Sequence, residues 1–186
     1  MPFAVHIFFD DQTDRAIRSI WQEMTDCGVA PYLGISGNRP HISLALCEEL
    51  NQATCQTQLE SWSIQVNPFP ISFQSLGIFP APGAVVFAAP LVTVELLALQ
   101  REVDGMLDGC CKWPEFDFYR PGKWIPHCTL AMEFKDDQLP RALEIAGHLK
   151  LPLDGMACGV GVIEFRPVKH LFNYSLGKGS SSRGSL

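Results

Sequence analysis

Two histidines in this chain each open a short run with a hydroxyl residue two places on. The runs are Pro40-His41-Ile42-Ser43-Leu44-Ala45-Leu46 and Pro126-His127-Cys128-Thr129-Leu130-Ala131-Met132. A match to Pro-His-x-[Ser/Thr]-Leu arises by chance on the order of once in several hundred chains of this size, so two together ask for a common cause. An imidazole with its ordinary pKa of about 6.5 gives or takes a proton near neutral pH. A hydroxyl can donate to an oxygen that gains negative charge. In an extended strand residues i and i+2 share a face. Each run therefore predicts an imidazole beside a hydroxyl, with Ile42 and Leu44, or Cys128 and Leu130, turned into a core. Two such strands facing each other bring two imidazoles and two hydroxyls to one cleft, a set suited to acid–base catalysis on a phosphate ester.

Other uses of these residue types fit less well. His6, His148 and His170 lack a paired hydroxyl and read as structural, although His6 lines the cleft if its strand borders it. A zinc site wants three or four ligands at recognisable spacing, which Cys110-Cys111 do not supply, so no metal is expected. The chain has no Gly-x-Ser-x-Gly elbow, Walker loop or Gly-x-Gly-x-x-Gly, which argues against a serine hydrolase triad or a dinucleotide fold.

The elements that must position the motifs follow from periodicity. Phe3–Phe9 reads as a strand, and residues 11–27 as an amphipathic helix with Ile17, Ile20, Trp21 and Met24 on one face. A Gly- and Pro-bearing loop over 28–40 delivers the first motif. A helix over 48–62, opened by Glu48 and Glu49, follows it. Strands at 69–80 and 84–91, a helix over 92–108, and an irregular stretch at 109–124 lead to the second motif. A helix at 137–149 and strands at 156–166 and 168–176 complete the pattern. Each motif is thus followed by a helix and two strands, an internal repeat around residues 40–91 and 126–177. The expected fold is α+β: two lobes related by a pseudo-twofold axis within one domain over 1–177. Each lobe is a mostly antiparallel sheet with outer helices, and the cleft lies between them. Residues 178–186, rich in Gly and Ser, read as a disordered tail.

Composition narrows the partners. At 186 residues, 47% hydrophobic and 18% charged, the chain reads as globular, and no apolar run reaches the roughly 18 residues of a membrane span. The opening residues do not resemble a secretory leader, and seven cysteines without Cys-x-x-Cys spacing suit a reducing, cytoplasmic setting. A net charge of −6 counts against extended contact with duplex DNA. A small nucleotide or an oligonucleotide end suits better, with Arg39, Arg120 and Lys123 as a local basic patch. Tyr119 and Trp124, in the loop before His127, are the better candidates to stack on a base, while Phe9 and Phe87 read as core.

Paired His-x-[Ser/Thr]-Leu strands resemble those of the two-histidine (2H) phosphoesterase superfamily, in its branch of 2′-5′ RNA ligase-like proteins and cyclic nucleotide phosphodiesterases. The flanks agree: Arg39-Pro40-His41, Pro121-Gly122-Lys123-Trp124-Ile125-Pro126, and the early strand Phe3–Phe9. The resemblance implies a similar bilobal fold and catalysis by His41, His127, Ser43 and Thr129 without a cofactor. The substrate it implies is a nucleotide or RNA end bearing a 2′,3′-cyclic phosphate, with 2′-5′ ligation by the same machinery. It also implies His127 as the base and His41 as the acid, although the near-symmetric motifs do not decide this. Arg39, Lys123, Tyr119 and Trp124 are the expected substrate contacts, and a monomer is expected. The alternative is a nucleotide-binding sensor that keeps the pocket and turns over little.

Overall fold

In the computed structural model, which describes residues 2–80, 82–116 and 118–177, the early apolar run forms strand β1 (Phe3–Phe9), buried from Ala4 onward. Helix α1 (Asp11–Asp26) begins at once because Asp10 stays extended and its carboxylate accepts from the backbone N–H groups of Gln12 and Thr13. Ile17, Ile20, Trp21 and Met24 form its buried face, as their spacing predicts. A single-turn helix α2 (Tyr32–Ile35) interrupts the loop before strand β2 (His41–Cys47). His41 and Ser43 are half-buried there while Ile42 and Leu44 are fully buried, which is the expected alternation.

The next helix starts later than expected. Glu49–Leu50 form a two-residue strand β3, and helix α3 (Gln52–Gln65) opens after it, capped by the Asn51 side chain accepting from the Thr54 N–H. Glu48 and Glu49 do not serve the helix N-terminus. Their carboxylates lie 3.6 and 2.8 Å from the Lys112 ammonium instead. Strands β4 (Phe69–Phe79) and β5 (Val85–Pro90) form a hairpin, and Thr93 caps helix α4 (Val94–Leu107) through the Leu96 N–H. A short strand β6 (Cys111–Lys112) pairs with β3. Strand β7 (Cys128–Ala131) carries the second motif, with Cys128 and Leu130 fully buried and Thr129 half-buried. Helix α5 (Leu139–Ala146) and strands β8 (Leu153–Glu164) and β9 (Lys169–Ser175) follow.

All pairings in the main sheet are antiparallel, in the order β2-β1-β8-β4-β5-β7, with β9 also on β8. The long strand β8 is shared. Its stretch Ala157–Glu164 pairs with β1 and Gly159–Glu164 with β9, whereas Leu153–Ala157 pairs with β4. The two expected lobes are therefore two halves of one sheet that meet on β8. The motif strands β2 and β7 end the path on either side, yet they touch each other. Helix α1 packs on β1, β7 and β8, and α4 packs on β2. In chain order each motif strand leads to a helix and then to two long strands, but across the sheet the pairs are exchanged: the β4–β5 pair, which follows β2, lies beside β7, and the β8–β9 pair, which follows β7, lies beside β1. The tail 178–186 lies outside the described residues. No helix among the described residues is long and apolar enough to cross a membrane.

The cysteines depart in part from the expectation. Cys47 and Cys111 form a disulfide with Cα atoms 5.5 Å apart, because the β3–β6 pairing brings the end of β2 beside the start of the loop that follows α4. Cys27, Cys55, Cys110, Cys128 and Cys158 remain thiols. Burial pushes the Cys128 thiol up to about 12, so it packs as a small hydrophobe rather than reacting as a thiolate.

Candidate active site

A proline precedes each motif histidine, and it biases the residue before it toward extended backbone. In both motifs the carbonyl of that residue meets the histidine two places on. The His41 Nδ1 lies 2.5 Å from the Arg39 carbonyl oxygen, and the His127 Nδ1 lies 2.7 Å from that of Ile125. A carbonyl only accepts, so each Nδ1 carries the proton and donates it. Each Nε2 is left to hold either a lone pair or a second proton. Both imidazoles, with Ser43 and Thr129, line one cleft of about 580 Å³.

The hydroxyl residues sit on edge strands, whose outer carbonyls have no ladder partner. Two indoles supply the missing donors. The Trp124 Nε1–H donates to the Ser43 carbonyl at 2.9 Å, and the Trp21 Nε1–H, on α1, donates to that of Thr129 at 3.0 Å. Each motif is thus braced at the residue that carries its hydroxyl. The Ser43 hydroxyl also shares a hydrogen bond with Tyr119, whose phenol burial pushes up. Buried Gln100, on α4, donates to the carbonyl oxygens of Leu44 and Tyr119 at 3.3 and 2.6 Å and so ties the loop to β2. Asp104 and Arg120 add an ion pair at 3.2 Å to the same junction, with Arg120 stacked over Trp113.

Aromatic rings set the walls. The ring of His127 meets Phe79 edge-on, with centroids 4.8 Å apart, and leans on Phe87 at 5.3 Å. Phe87 lies so close over Gly77 that a Cβ there would fall 2.3 Å from its ring. Glycine at 77 thus permits the wall behind His127. His41 stacks face to face on His6, with centroids 3.7 Å apart and planes 8° from parallel. His6 lies opposite Ser43 in the β1–β2 pairing.

Both motif histidines are held below their ordinary pKa. Burial brings His41 down to about 4 with help from the nearby His127 and His170, against the opposing bond to Arg39. Burial also lowers His127, less strongly, and lowers His6 well below its ordinary value. This has a consequence for stability. Between about pH 6.5 and about 4 the unfolded chain protonates His41 while the folded chain does not. Stability must then fall as pH drops through that window, by on the order of 3 kcal/mol from His41 alone. Urea melts at pH 7 and pH 4.5 check this: a midpoint unchanged between them would mean that the imidazole is not desolvated.

The expected substrate contacts separate. Lys123, Tyr119 and Trp124 line the cleft. Trp124, 8% exposed, presents no open face to a base, because its ring is packed inward to reach the Ser43 carbonyl. Tyr119 is half-buried and engaged with Ser43. Arg39 is not among the lining residues. Its guanidinium sits 4.5 Å from the Phe8 ring centroid and 3.8 Å from the Asp14 carboxylate. The opposite holds for several residues without a sequence signal. His6, Phe79, Phe165 and Arg166 line the cleft, as does Phe118, which is 67% exposed. Strand pairing and loop closure bring them there, and no local pattern marks them. His6 alone was foreseeable, on the condition that its strand borders the cleft. Among the described residues, no group of three or more His, Cys, Asp or Glu side chains could hold a metal ion.

Comparison with known proteins bears on the fold and the family. No curated protein sequence matches the chain. Among solved structures, TT0787 of Thermus thermophilus is similar with a TM-score of 0.60 and 17% identity, over 95% of this chain and 98% of that one. E. coli LigT complexed with 3′-AMP gives a TM-score of 0.56 at 14% identity, over 96% of this chain and 100% of that one. Kluyveromyces marxianus Usb1 gives 0.51 at 10% identity, over 91% and 97%. At these identities what is shared is the fold. The profile of the 2′-5′ RNA ligase superfamily, the two-histidine phosphoesterase group that the motifs resemble, matches residues 9–167, and the chain belongs to that superfamily.

Proposed function

We propose that this protein is a phosphodiesterase that opens a 2′,3′-cyclic phosphate on a small nucleotide or RNA end, using its own side chains without a metal ion. The observation that carries this reading is the matched pair of imidazoles. Each is locked through Nδ1 onto a backbone carbonyl, with Nε2 left for proton transfer, in a cleft that also receives both hydroxyls. His41, the imidazole held more firmly neutral, takes a proton from water as the water oxygen attacks phosphorus. His127, the more easily protonated, gives a proton to the departing ribose oxygen. The resemblance implies the reverse assignment, and burial favours this one. An anionic phosphate in the cleft would raise both imidazoles toward neutral pH. Ser43 and Thr129 donate to the non-bridging oxygens, where charge grows in the transition state. Phe118, at the mouth, offers the open aromatic face for a base, and Lys123 the nearby positive charge. With a 5′-hydroxyl in place of water, the same ring opening joins a 2′-5′ linkage: the 5′ oxygen bonds to phosphorus, His41 takes its proton, and the 3′ oxygen departs with a proton from His127. That E. coli LigT has been solved with 3′-AMP supports a nucleotide as the ligand to test first.

The test is turnover of 2′,3′-cyclic nucleotides with and without EDTA. Product formation that chelator leaves unchanged is expected. Tight nucleotide binding without product would favour a sensor, and loss of activity with EDTA would bring a metal into the reaction.

A further inference from the structure

His6 is used by none of these steps, and its position asks for an account. It is only 2% exposed, yet it lines the cleft, and its Nδ1 is buried with no hydrogen-bond partner. An apolar residue would fill the same space in β1 without leaving a polar atom unpaired. The ring is held by its neighbours: Phe8 meets it edge-on with centroids 6.1 Å apart, and His41 covers its face at 3.7 Å. The stack has a structural origin. A register shift at Val5/His6 places His6 opposite Ser43, with Ile7 opposite Ile42 and Phe8 opposite His41.

We infer that His6 is a positioning residue for His41: its flat, buried ring fixes the plane of the His41 imidazole, closes the space behind it to water, and so keeps His41 neutral and aimed into the cleft. Two anchors then define the His41 ring. The Arg39 carbonyl holds Nδ1, and the His6 face sets the plane about that bond. Among the charged and titratable groups around the pair, His127 on the approach to β7 and His170 on β9 face them, and Lys123 and Arg166 line the same cleft. The carboxylates of Asp14 on α1 and Glu164 on β8 are paired, with Arg18 and Arg39 and with Lys169. With imidazoles and cations around it, a neutral His6 is what allows His41 to accept the single proton of the reaction.

This inference rests on the proposed acid–base role of His41, but its test does not require turnover. The His41 imidazole is titrated by NMR in the wild type, His6→Phe and His6→Ala, alongside kinetics on a 2′,3′-cyclic nucleotide. His6→Phe keeps a flat face, so the His41 titration should stay where it is. In His6→Ala water reaches the back of His41, and its titration should move up toward the ordinary range of about 6.5. The acid limb of the rate profile should move with it. In kinetics, His6→Ala should lower kcat about tenfold with KM little changed, as loosened alignment does, and His6→Phe should recover most of that loss. His6→Thr, which suits a strand and is likewise too short to cover the face of His41, replaces His6→Ala if the latter does not fold, with the same expectations. An unmoved His41 titration in the non-flat variant overturns the inference, as does a His6→Phe protein that shifts or slows as much as it. A moved titration without any turnover in the wild type would uphold the positioning and remove the hydrolase reading instead.

Discussion

His41→Ala and His127→Ala are each expected to slow hydrolysis of a 2′,3′-cyclic nucleotide by about 10²–10⁴, the usual contribution of a positioned general acid or base. The two losses should differ in kind. An aryl phosphodiester such as a nitrophenyl ester has a leaving oxygen that departs with little protonation. On that substrate His127→Ala should regain much of its rate, because the acid is no longer needed. His41→Ala should stay slow, since water still has to be deprotonated. The reverse pattern would restore the order that the resemblance implies, and equal rescue would mean that both imidazoles share both steps. The rate of the wild type should trace a bell against pH. Its acid limb reports the base, which burial pulls down in the empty cleft and which an anionic substrate would pull back up.

The hydroxyls give the second large effect. Losing one donor to a developing oxyanion typically costs about 10²–10³ in rate, and Thr129→Ala and Ser43→Ala are each expected in that range. Neither hydroxyl holds the fold, since the backbone carbonyls of both residues, not their side chains, receive the indole donors. Melting points should therefore move little. Tyr119→Phe offers a finer measurement at the same place. Its hydroxyl touches Ser43 and not phosphorus in this reading, so removing it should cost about tenfold or less in kcat, as the loss of an orienting bond does. If Ser43→Ala and Tyr119→Phe fell by equal large factors, the phenol itself would be the donor. If Thr129→Ala kept the full rate, its contact with phosphate would be absent.

How far the site was legible depends on the range of the interaction that made it. The alternation of His41 to Leu44 and of Cys128 to Leu130 is local, set by the two-residue period of a strand, and the side chains follow it. The stripe of α1 follows the helical period in the same way. Glu48 and Glu49 show where local reading stops. Both are good first-turn residues, but Lys112 lies across the β3–β6 pairing, and Asn51 caps the helix more directly. Trp124 read as a platform for a base because it is aromatic and sits in a loop. The unpaired Ser43 carbonyl of an edge strand draws its indole inward instead. Arg39 read as a phosphate ligand because it adjoins His41. Its guanidinium lies over Phe8 and beside Asp14 instead, outside the lining of the cleft.

The amino-acid sequence by itself determined what each motif presents: an imidazole beside a hydroxyl on one face of a strand, a proline before each histidine, and the helix-and-strand order around each motif. These depend on neighbours within a few residues, where backbone geometry leaves few choices. Only the tertiary structure decided how the two halves share β8, that β2 and β7 meet from opposite ends of one sheet, and that Cys47 comes within reach of Cys111. It alone placed His6 on the face of His41 and turned Phe118 to the mouth of the cleft. Those relations arise from strand register and loop closure over many residues, where the gain is burial summed over the whole core and no short pattern records the outcome.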